Sequence, residues 1–310
     1  MALWSIGSGA PNFPCQTMPK IKLTYIWSLR NAAADKAGQH IAYKGGLRYM
    51  KSPLEHLAHL LNHTDLGDAY SLEAVIRDDD EGSPADQRKL AEYGCTWQRG
   101  RQWFYPPELR VQGRAMNDLL CAVPSTYRRL PMGAKSERIA GKSAFERQLQ
   151  LTLGELGADL VLLDGLLVIL DELIRPGAPY CRKVVNIHPG ITRIESPHER
   201  RGAHATLDAL YGARGKKVVN WQTMEAIDVP VVDKTGASFH YVDNGIDSGE
   251  VIVDVLNTCI EPQDTILELR WNNFNQSLFP AMEGGLRHMQ NLLMNAEGAQ
   301  QTVSRALLPC

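Results

Sequence analysis

The sequence predicts an α/β protein: a doubly wound, mostly parallel sheet with a long C-terminal helix. Three observations predict it. Short aliphatic runs such as Leu160-Val161-Leu162-Leu163 and Val184-Val185-Asn186-Ile187 have the length of strands buried on both faces. These runs alternate with segments of helical spacing, which is the pattern of parallel βαβ units. Residues 265–296 then read as one long helix.

Taken in order, residues 21–28 read as the first strand, and the glycine-containing stretch to residue 52 as a long loop. Residues 53–62 have helical apolar spacing with proline at the start, where its missing N–H is harmless. Residues 72–76 look like a second strand. It ends at the acidic run Asp78-Asp79-Asp80-Glu81-Gly82, read as a solvated turn in preference to a metal site. Residues 92–113 mix Trp, Tyr, Pro and Arg without a period and read as irregular, whereas 136–156 form an amphipathic helix. Residues 159–164 are a buried strand, and Gly165 turns the chain into Leu166-Leu167-Val168-Ile169-Leu170. A strand over 182–188, a helix over 203–211, a polar insertion with a short hairpin over 212–234, and strands over 237–243 and 251–256 complete the pattern. No internal repeat or low-complexity tract interrupts it.

Residues 1–19 carry no Lys or Arg and no sustained apolar stretch, so they read as a flexible arm, neither signal peptide nor membrane span. Residues 20–310 then form a single catalytic domain with a C-terminal helical extension. With 44% hydrophobic and 22% charged residues the composition is that of a soluble cytoplasmic protein. A formal net charge of −2 gives no general attraction to nucleic acid or to an anionic membrane. The cysteines at 15, 95, 121, 181, 259 and 310 have no paired spacing, which suits reduced thiols and argues against a structural metal.

The chemistry is concentrated in Val184-Val185-Asn186-Ile187-His188-Pro189-Gly190. Alternate residues of a strand face the same way, so Asn186 and His188 share a face. Pro189 ends the strand because it cannot donate to a ladder. A carboxamide that donates and an imidazole that can do either suit polarising a carbonyl and moving a proton. About sixty residues on, the segment from Thr235 to Gly249 reads as a strand followed by a glycine-flanked loop presenting a carboxylate. Asp243 and Asp247 are the two candidates for it. Ser238 and His240 share a strand face by the same alternation. Together these groups would make an acyl-transfer site that needs neither metal nor covalent nucleophile.

Asn-x-His-Pro, followed by Gly-x-x-x-His and then by Asp-x-Gly in Asp247-Ser248-Gly249, resembles the formyltransferases that use 10-formyltetrahydrofolate. The likeness spans roughly residues 159–256, preceded by a weaker Rossmann-like organisation. Within that family the chain resembles the bacterial hydroxyornithine transformylases of pyoverdine-type siderophore synthesis. That resemblance rests on Ser28-Leu29-Arg30-Asn31-Ala32, Tyr43-Lys44-Gly45-Gly46, Tyr49-Met50-Lys51-Ser52-Pro53, Pro124-Ser125-Thr126-Tyr127-Arg128-Arg129 and Arg270-Trp271-Asn272-Asn273-Phe274-Asn275. It implies the formyltransferase fold and assigns Asn186, His188 and Asp247 to catalysis. Asn186 and His188 would hold the formyl oxygen, and Asp247 would relay protons between attacking and departing nitrogens. It places Ser238 and His240 behind the catalytic carboxylate, and His204 as a supporting or structural residue. The folate would lie on the backbone of Leu167, Val168, Ile169 and Leu170, with Asp243 and Asp247 on its other side. Val168 stands where relatives often carry Arg, and Asp164 where many carry Ala.

The implied acceptor is the side-chain hydroxylamine of hydroxyornithine, with Arg30, Asn31, Lys44 and Arg48 as candidate contacts and Asp35 nearby. Arg200, Arg201 and residues 271–275 would border its channel. The loop after the first strand lacks the glycine-serine-asparagine phosphate cradle of the purine-pathway relative, which argues against a phosphate-bearing acceptor. An amino-sugar nucleotide or another small amine is the alternative. A transfer-RNA formyltransferase would need a basic C-terminal domain, a formyltetrahydrofolate hydrolase an added N-terminal domain, and a binding protein would have no use for an intact catalytic trio.

Overall fold

The computed structural model describes residues 19–92 and 108–306. Residues 1–18 of the arm expected over 1–19, most of the irregular stretch 92–113, and Cys15, Cys95 and Cys310 lie outside the described residues. The elements begin with β1 (Ile21–Trp27), α1 (Leu29–Asp35), the hairpin of β2 (Gln39–Tyr43) and β3 (Gly46–Met50), α2 (Pro53–His63), the short α3 (Leu66–Ala69) and β4 (Tyr70–Arg77). Then come α4 (Pro84–Glu92), the two-residue strands β5 (Arg110–Val111) and β6 (Arg114–Ala115), β7 (Leu120–Ala122), α5 (Lys135–Leu156), β8 (Leu160–Asp164) and β9 (Val184–His188). The chain continues through α6 (Ala205–Gly212), the hairpin of β10 (Lys216–Asn220) and β11 (Glu225–Asp228), β12 (Lys234–Tyr241), β13 (Val251–Cys259), α7 (Ile266–Asn273) and α8 (Phe279–Ala306).

Seven strands form the central sheet in the order β13-β12-β9-β8-β1-β4-β7. The five from β9 to β7 are parallel, and β12 and β13 add antiparallel at one edge. The connections leave β1 in opposite directions, toward β4 and toward β8. That switch point is where an open α/β sheet forms a crevice beyond the carboxyl ends of its strands.

Alternation assigns each strand two faces. Leu23, Tyr25 and Trp27 of β1, Leu160 and Leu162 of β8, and Val185 and Ile187 of β9 pack into one core with α2 and α8. Ile26, Val161, Leu163 and Val184 face the other, with Phe145, Leu149 and Leu153 of α5. On that second face β9 runs Val184, Asn186, His188, so the strand turns polar on one side only as it nears its end.

Several expected boundaries stand within a residue or two, but the early loop does not. Residues 29–50 contain a helix and a hairpin whose Lys44-Gly45 turn has positive φ at both positions (45° and 79°), as tight β-hairpins favour. The acidic run is also corrected: Asp78, Asp79 and Asp80 are 0%, 1% and 5% exposed, not solvated. Asp79 accepts from the backbone N–H groups of Leu29 and Arg30, capping α1 from across the sheet. Arg30 pairs with Asp78 at 2.8 Å and with Asp86 at 3.1 Å, and Arg129 with Asp80 at 2.7 Å.

The C-terminal helix is not uniform. Phe274–Leu278 is a π-helical turn in which the Phe279 N–H donates to Phe274, five residues back. Pro280 supplies no N–H and its ring crowds the preceding turn, which accounts for the irregularity. The widened turn sets Arg270, Phe274 and Leu278 on the wall of the crevice.

Candidate active site

The crevice at the switch point is a cleft of about 330 Å³. Its walls come from five places: α1 (Asn31, Asp35), the end of β8 with the turn after it (Leu163–Leu170), the end of β9 (Asn186–Pro189), the entry to α6 (Gly202, Ala203, Ala205, Thr206) and the loop after β12 (Val242, Asp243, Gly245–Asp247). The helix turn bearing Arg270 and Phe274 closes it.

Asn186, His188 and Asp247 meet there. The register of β12 on β9 sets His240 opposite Asn186 and Ser238 opposite His188. The Asn186 amide nitrogen lies 3.2 Å from His240 Nε2 and 3.2 Å from Asp247 Oδ1. His240 Nδ1 is 2.8 Å from the Tyr241 carbonyl, which can only accept, so Nδ1 carries the hydrogen and Nε2 receives the Asn186 amide. This network fixes which end of the carboxamide points at the carboxylate.

The same reasoning fixes His188. Its Nε2 lies 3.0 Å from the Arg200 carbonyl oxygen and its Nδ1 3.4 Å from Asp247 Oδ2. Both neighbours only accept, and the nearer one takes the hydrogen of the neutral ring, on Nε2, leaving Nδ1 as a lone pair beside Asp247 until a proton arrives there. Burial lowers the affinity of this imidazole for a second proton, more than the neighbouring Asp247 raises it. Burial pushes the Asp247 carboxyl up, but the polar groups around it, among them the Gly202 N–H that donates to Oδ2 at 2.8 Å, hold it well below the usual carboxylate range. Asp247 has φ +46°, a conformation that Asp tolerates better than most residues and that turns its side chain back over β9.

On the opposite wall, the backbone N–H and C=O groups of Leu166–Leu170 form no hydrogen bond with other described backbone. Val168 and Leu170 turn into the core, at 8% and 0% exposure, while Leu167 and Ile169 stay exposed. A backbone edge beside apolar side chains, facing a cleft of this size, fits a flat heteroaromatic ring with several donors and acceptors. Gly165 makes the turn possible: its φ is +62°, and a Cβ there would collide with the Asn31 carboxamide. Asp243 also lines the cleft, but its Oδ1 closes its own loop, accepting from Gly245 N–H and Ser248 Oγ.

Other expected residues fall elsewhere. Arg30 is buried among Asp78, Asp79 and Asp86, away from the cleft. Lys44 pairs with Glu261 at 2.8 Å, and the Arg48 guanidinium lies over the Tyr43 and Trp271 rings. None of the three lines the cleft, whereas Asn31 does. Ser238 does not reach the Asp247 carboxylate; its hydroxyl donates to Asp254 at 2.5 Å and accepts from Thr192 N–H. His204 is exposed and stacks on Trp221 at 4.5 Å between ring centroids. Arg200 offers its carbonyl to His188 while its side chain holds Asp208, and Arg201 holds Glu199. Conversely, Arg270 lines the cleft, tied to Asp35 at 2.5 Å. Nothing in the spacing of positions 35 and 270 shows that they meet.

An amide, an imidazole and a carboxylate converging beside an apolar ring site define the class of formyl-transfer enzymes. No protein-family model and no curated protein sequence matches the chain. Among solved structures it is similar to "PvdF of pyoverdin biosynthesis", described as a structurally unique N10-formyltetrahydrofolate-dependent formyltransferase. The two are 65% identical over 88% of this chain and 100% of that one, with a TM-score of 0.81. This chain belongs to the N10-formyltetrahydrofolate-dependent formyltransferases. Glycinamide ribonucleotide transformylase 1 from Symbiobacterium toebii is 15% identical over 92% of this chain and 93% of that one, with a TM-score of 0.51, and shares the fold.

Proposed function

We propose that this enzyme passes a formyl group from 10-formyltetrahydrofolate to the side-chain hydroxylamine nitrogen of hydroxyornithine in the assembly of a pyoverdine-type siderophore. The observation that carries the reading is the Asn186–His188–Asp247 cluster facing the open backbone edge of Leu167–Leu170 across one cleft. The 65% identity to PvdF supports the pathway. Donor and acceptor are small molecules met in the cytoplasm, and neither nucleic acid nor membrane takes part. Residues 20–310 act as one catalytic domain.

The donor supplies an activated formyl carbon on a nitrogen that can leave. The Asn186 N–H that rests on Asp247 Oδ1 turns to the formyl oxygen when the donor binds, stabilising the negative charge that grows there, while the other N–H stays on His240 Nε2; a donor of this kind is worth about a hundredfold to a thousandfold in rate. His188 Nδ1 holds a lone pair and so accepts the proton released when the hydroxylamine nitrogen attacks. The resulting imidazolium then donates that proton from Nδ1 to the departing folate nitrogen as the oxyanion re-forms the formyl carbonyl and the old C–N bond breaks. Asp247, ionised 3.4 Å away, stabilises that imidazolium and favours its formation at the moment of attack. His240 keeps the Asn186 amide aimed. Hydrolysis is suppressed insofar as the acceptor fills the cleft and excludes water.

A turnover assay with 10-formyltetrahydrofolate and a panel of hydroxyornithine, ornithine, a lysine analogue and an amino-sugar nucleotide tests the reading. Transfer to hydroxyornithine alone, or at least tenfold faster than to the others, is expected. Preference for the amino-sugar nucleotide would overturn the acceptor.

A further inference from the structure

One part of the cleft has no role in the chemistry above. Asp164, the last residue of β8, lines it, and its Oδ2 accepts from Tyr25 Oη at 2.5 Å. Among the described residues no cation pairs with it. A carboxyl withdrawn from water and left without a cation is costly, and a cationic ligand group would relieve the cost. Burial, more than its neighbours, pushes its pKa up to about 7.

Arg270 is the only Lys or Arg among the described residues that line the cleft. Its Nη1 is anchored by Asp35 Oδ1 at 2.5 Å and by the Ala34 carbonyl at 3.4 Å. Its Nε is buried and has no hydrogen-bond partner. An orphaned, buried guanidinium donor beside a cleft calls for an anionic acceptor group. The flanking carboxyls of Asp35 and Asp164 disfavour a phosphate dianion but suit a ligand carrying one charge of each sign.

We propose that Asp164 and Arg270 form a subsite for the head of an α-amino acid, Asp164 holding the acceptor's α-ammonium and Arg270 its α-carboxylate. Asn31, whose carboxamide lies against Gly165 and donates to Asp35 at 3.4 Å, lines the same cleft. The subsite rests on the reading of the acceptor as hydroxyornithine, and explains why the acceptor would have to be an amino acid.

The test uses full-length enzyme and three acceptors: hydroxyornithine, 5-(hydroxyamino)pentanoate, which lacks the α-ammonium, and N-hydroxy-1,4-diaminobutane, which lacks the α-carboxylate. Wild type should lose about a hundredfold in kcat/KM on each truncated acceptor, as expected for a charged hydrogen-bonded partner removed from a desolvated site. Asp164→Asn should lose about as much on hydroxyornithine, through KM, yet use 5-(hydroxyamino)pentanoate as well as wild type does. Arg270→Gln should show the same levelling with N-hydroxy-1,4-diaminobutane. The KM for 10-formyltetrahydrofolate should stay unchanged in both, which also reports an intact fold. Should either variant fail to fold, Asp164→Ala and Arg270→Lys are read the same way. If wild type uses hydroxyornithine and the variants keep its discrimination, the subsite is wrong while the acceptor stands. If wild type does not use hydroxyornithine, the acceptor reading fails and the subsite falls with it.

Discussion

His188 Nε2 lies 3.0 Å from the backbone carbonyl of Arg200, and that contact decides what the imidazole can do on its other side. The carbonyl oxygen only accepts and is the nearer of the ring's two acceptors, so the hydrogen of the neutral ring resides on Nε2 and Nδ1 faces Asp247 as a lone pair. Burial keeps the ring from gaining a second proton at rest. The histidine is thereby cast as an acceptor first and a donor second, a sequence of roles that suits an incoming nitrogen losing a proton and a departing one gaining it. Nitrogen-detected NMR of the imidazole should show the Nε2–H tautomer, neutral at pH 7. A resting imidazolium at that pH would contradict this assignment.

Ser238 and His240 share a strand face but should behave differently. Ser238→Ala removes bonds to Asp254 and Thr192, so about 1–3 kcal/mol of stability should be lost while kcat stays within about threefold. His240→Phe frees the Asn186 amide, and kcat should fall about tenfold to a hundredfold. Thermal melts and steady-state rates on the two variants check the contrast.

Asp164 should carry a stability cost. Its folded pKa, near 7 against 3.8 ordinarily, means that the folded chain keeps a proton which the unfolded chain gives up. Stability is therefore lost as pH rises across that window, on the order of a few kcal/mol. Tyr25 on β1 and Asp35 on α1 are the neighbours that tune it. Asp164→Asn should raise Tm at pH 8 and flatten the slope between pH 4 and 8, where loss of a merely structural carboxylate would lower Tm.

His56 sets the acid limb. Burial, with Lys51 and His59 nearby, lowers its pKa to about 3, and its ring stacks on Phe279 at 4.2 Å. The unfolded chain binds a proton here that the folded chain refuses, so stability should fall as pH drops from about 6.5 to about 3. Urea midpoints at pH 7 and pH 4 should draw together in His56→Phe, which keeps the stack.

Much of this was legible in the sequence. The meeting of Asn186, His188 and Asp247 at one cleft was readable because a two-residue strand period and an Asp-x-Gly loop are local signals. The sheet was readable because its strands are aliphatic on both faces. The partners of charged groups were not. Asp78–Asp80 look solvated until Arg30, Arg128 and the start of α1 arrive from distant segments to neutralise them. Arg30 and Lys44 looked available for an acceptor for the same reason, whereas the Asp35–Arg270 pair joins positions 235 residues apart, and no periodicity reports such a meeting. The hairpin at 39–50 was missed because its strands are short and mostly exposed, leaving the Lys44-Gly45 turn as the only cue.

The most direct measurement of the account is the single-turnover rate of formyl transfer in Asn186→Ala, His188→Ala and Asp247→Ala, each shown to retain the wild-type circular dichroism and to bind tetrahydrofolate. Each should lose at least about a hundredfold, with the fold intact. A variant that transfers formyl at the wild-type rate would contradict the claim that these three side chains carry the reaction.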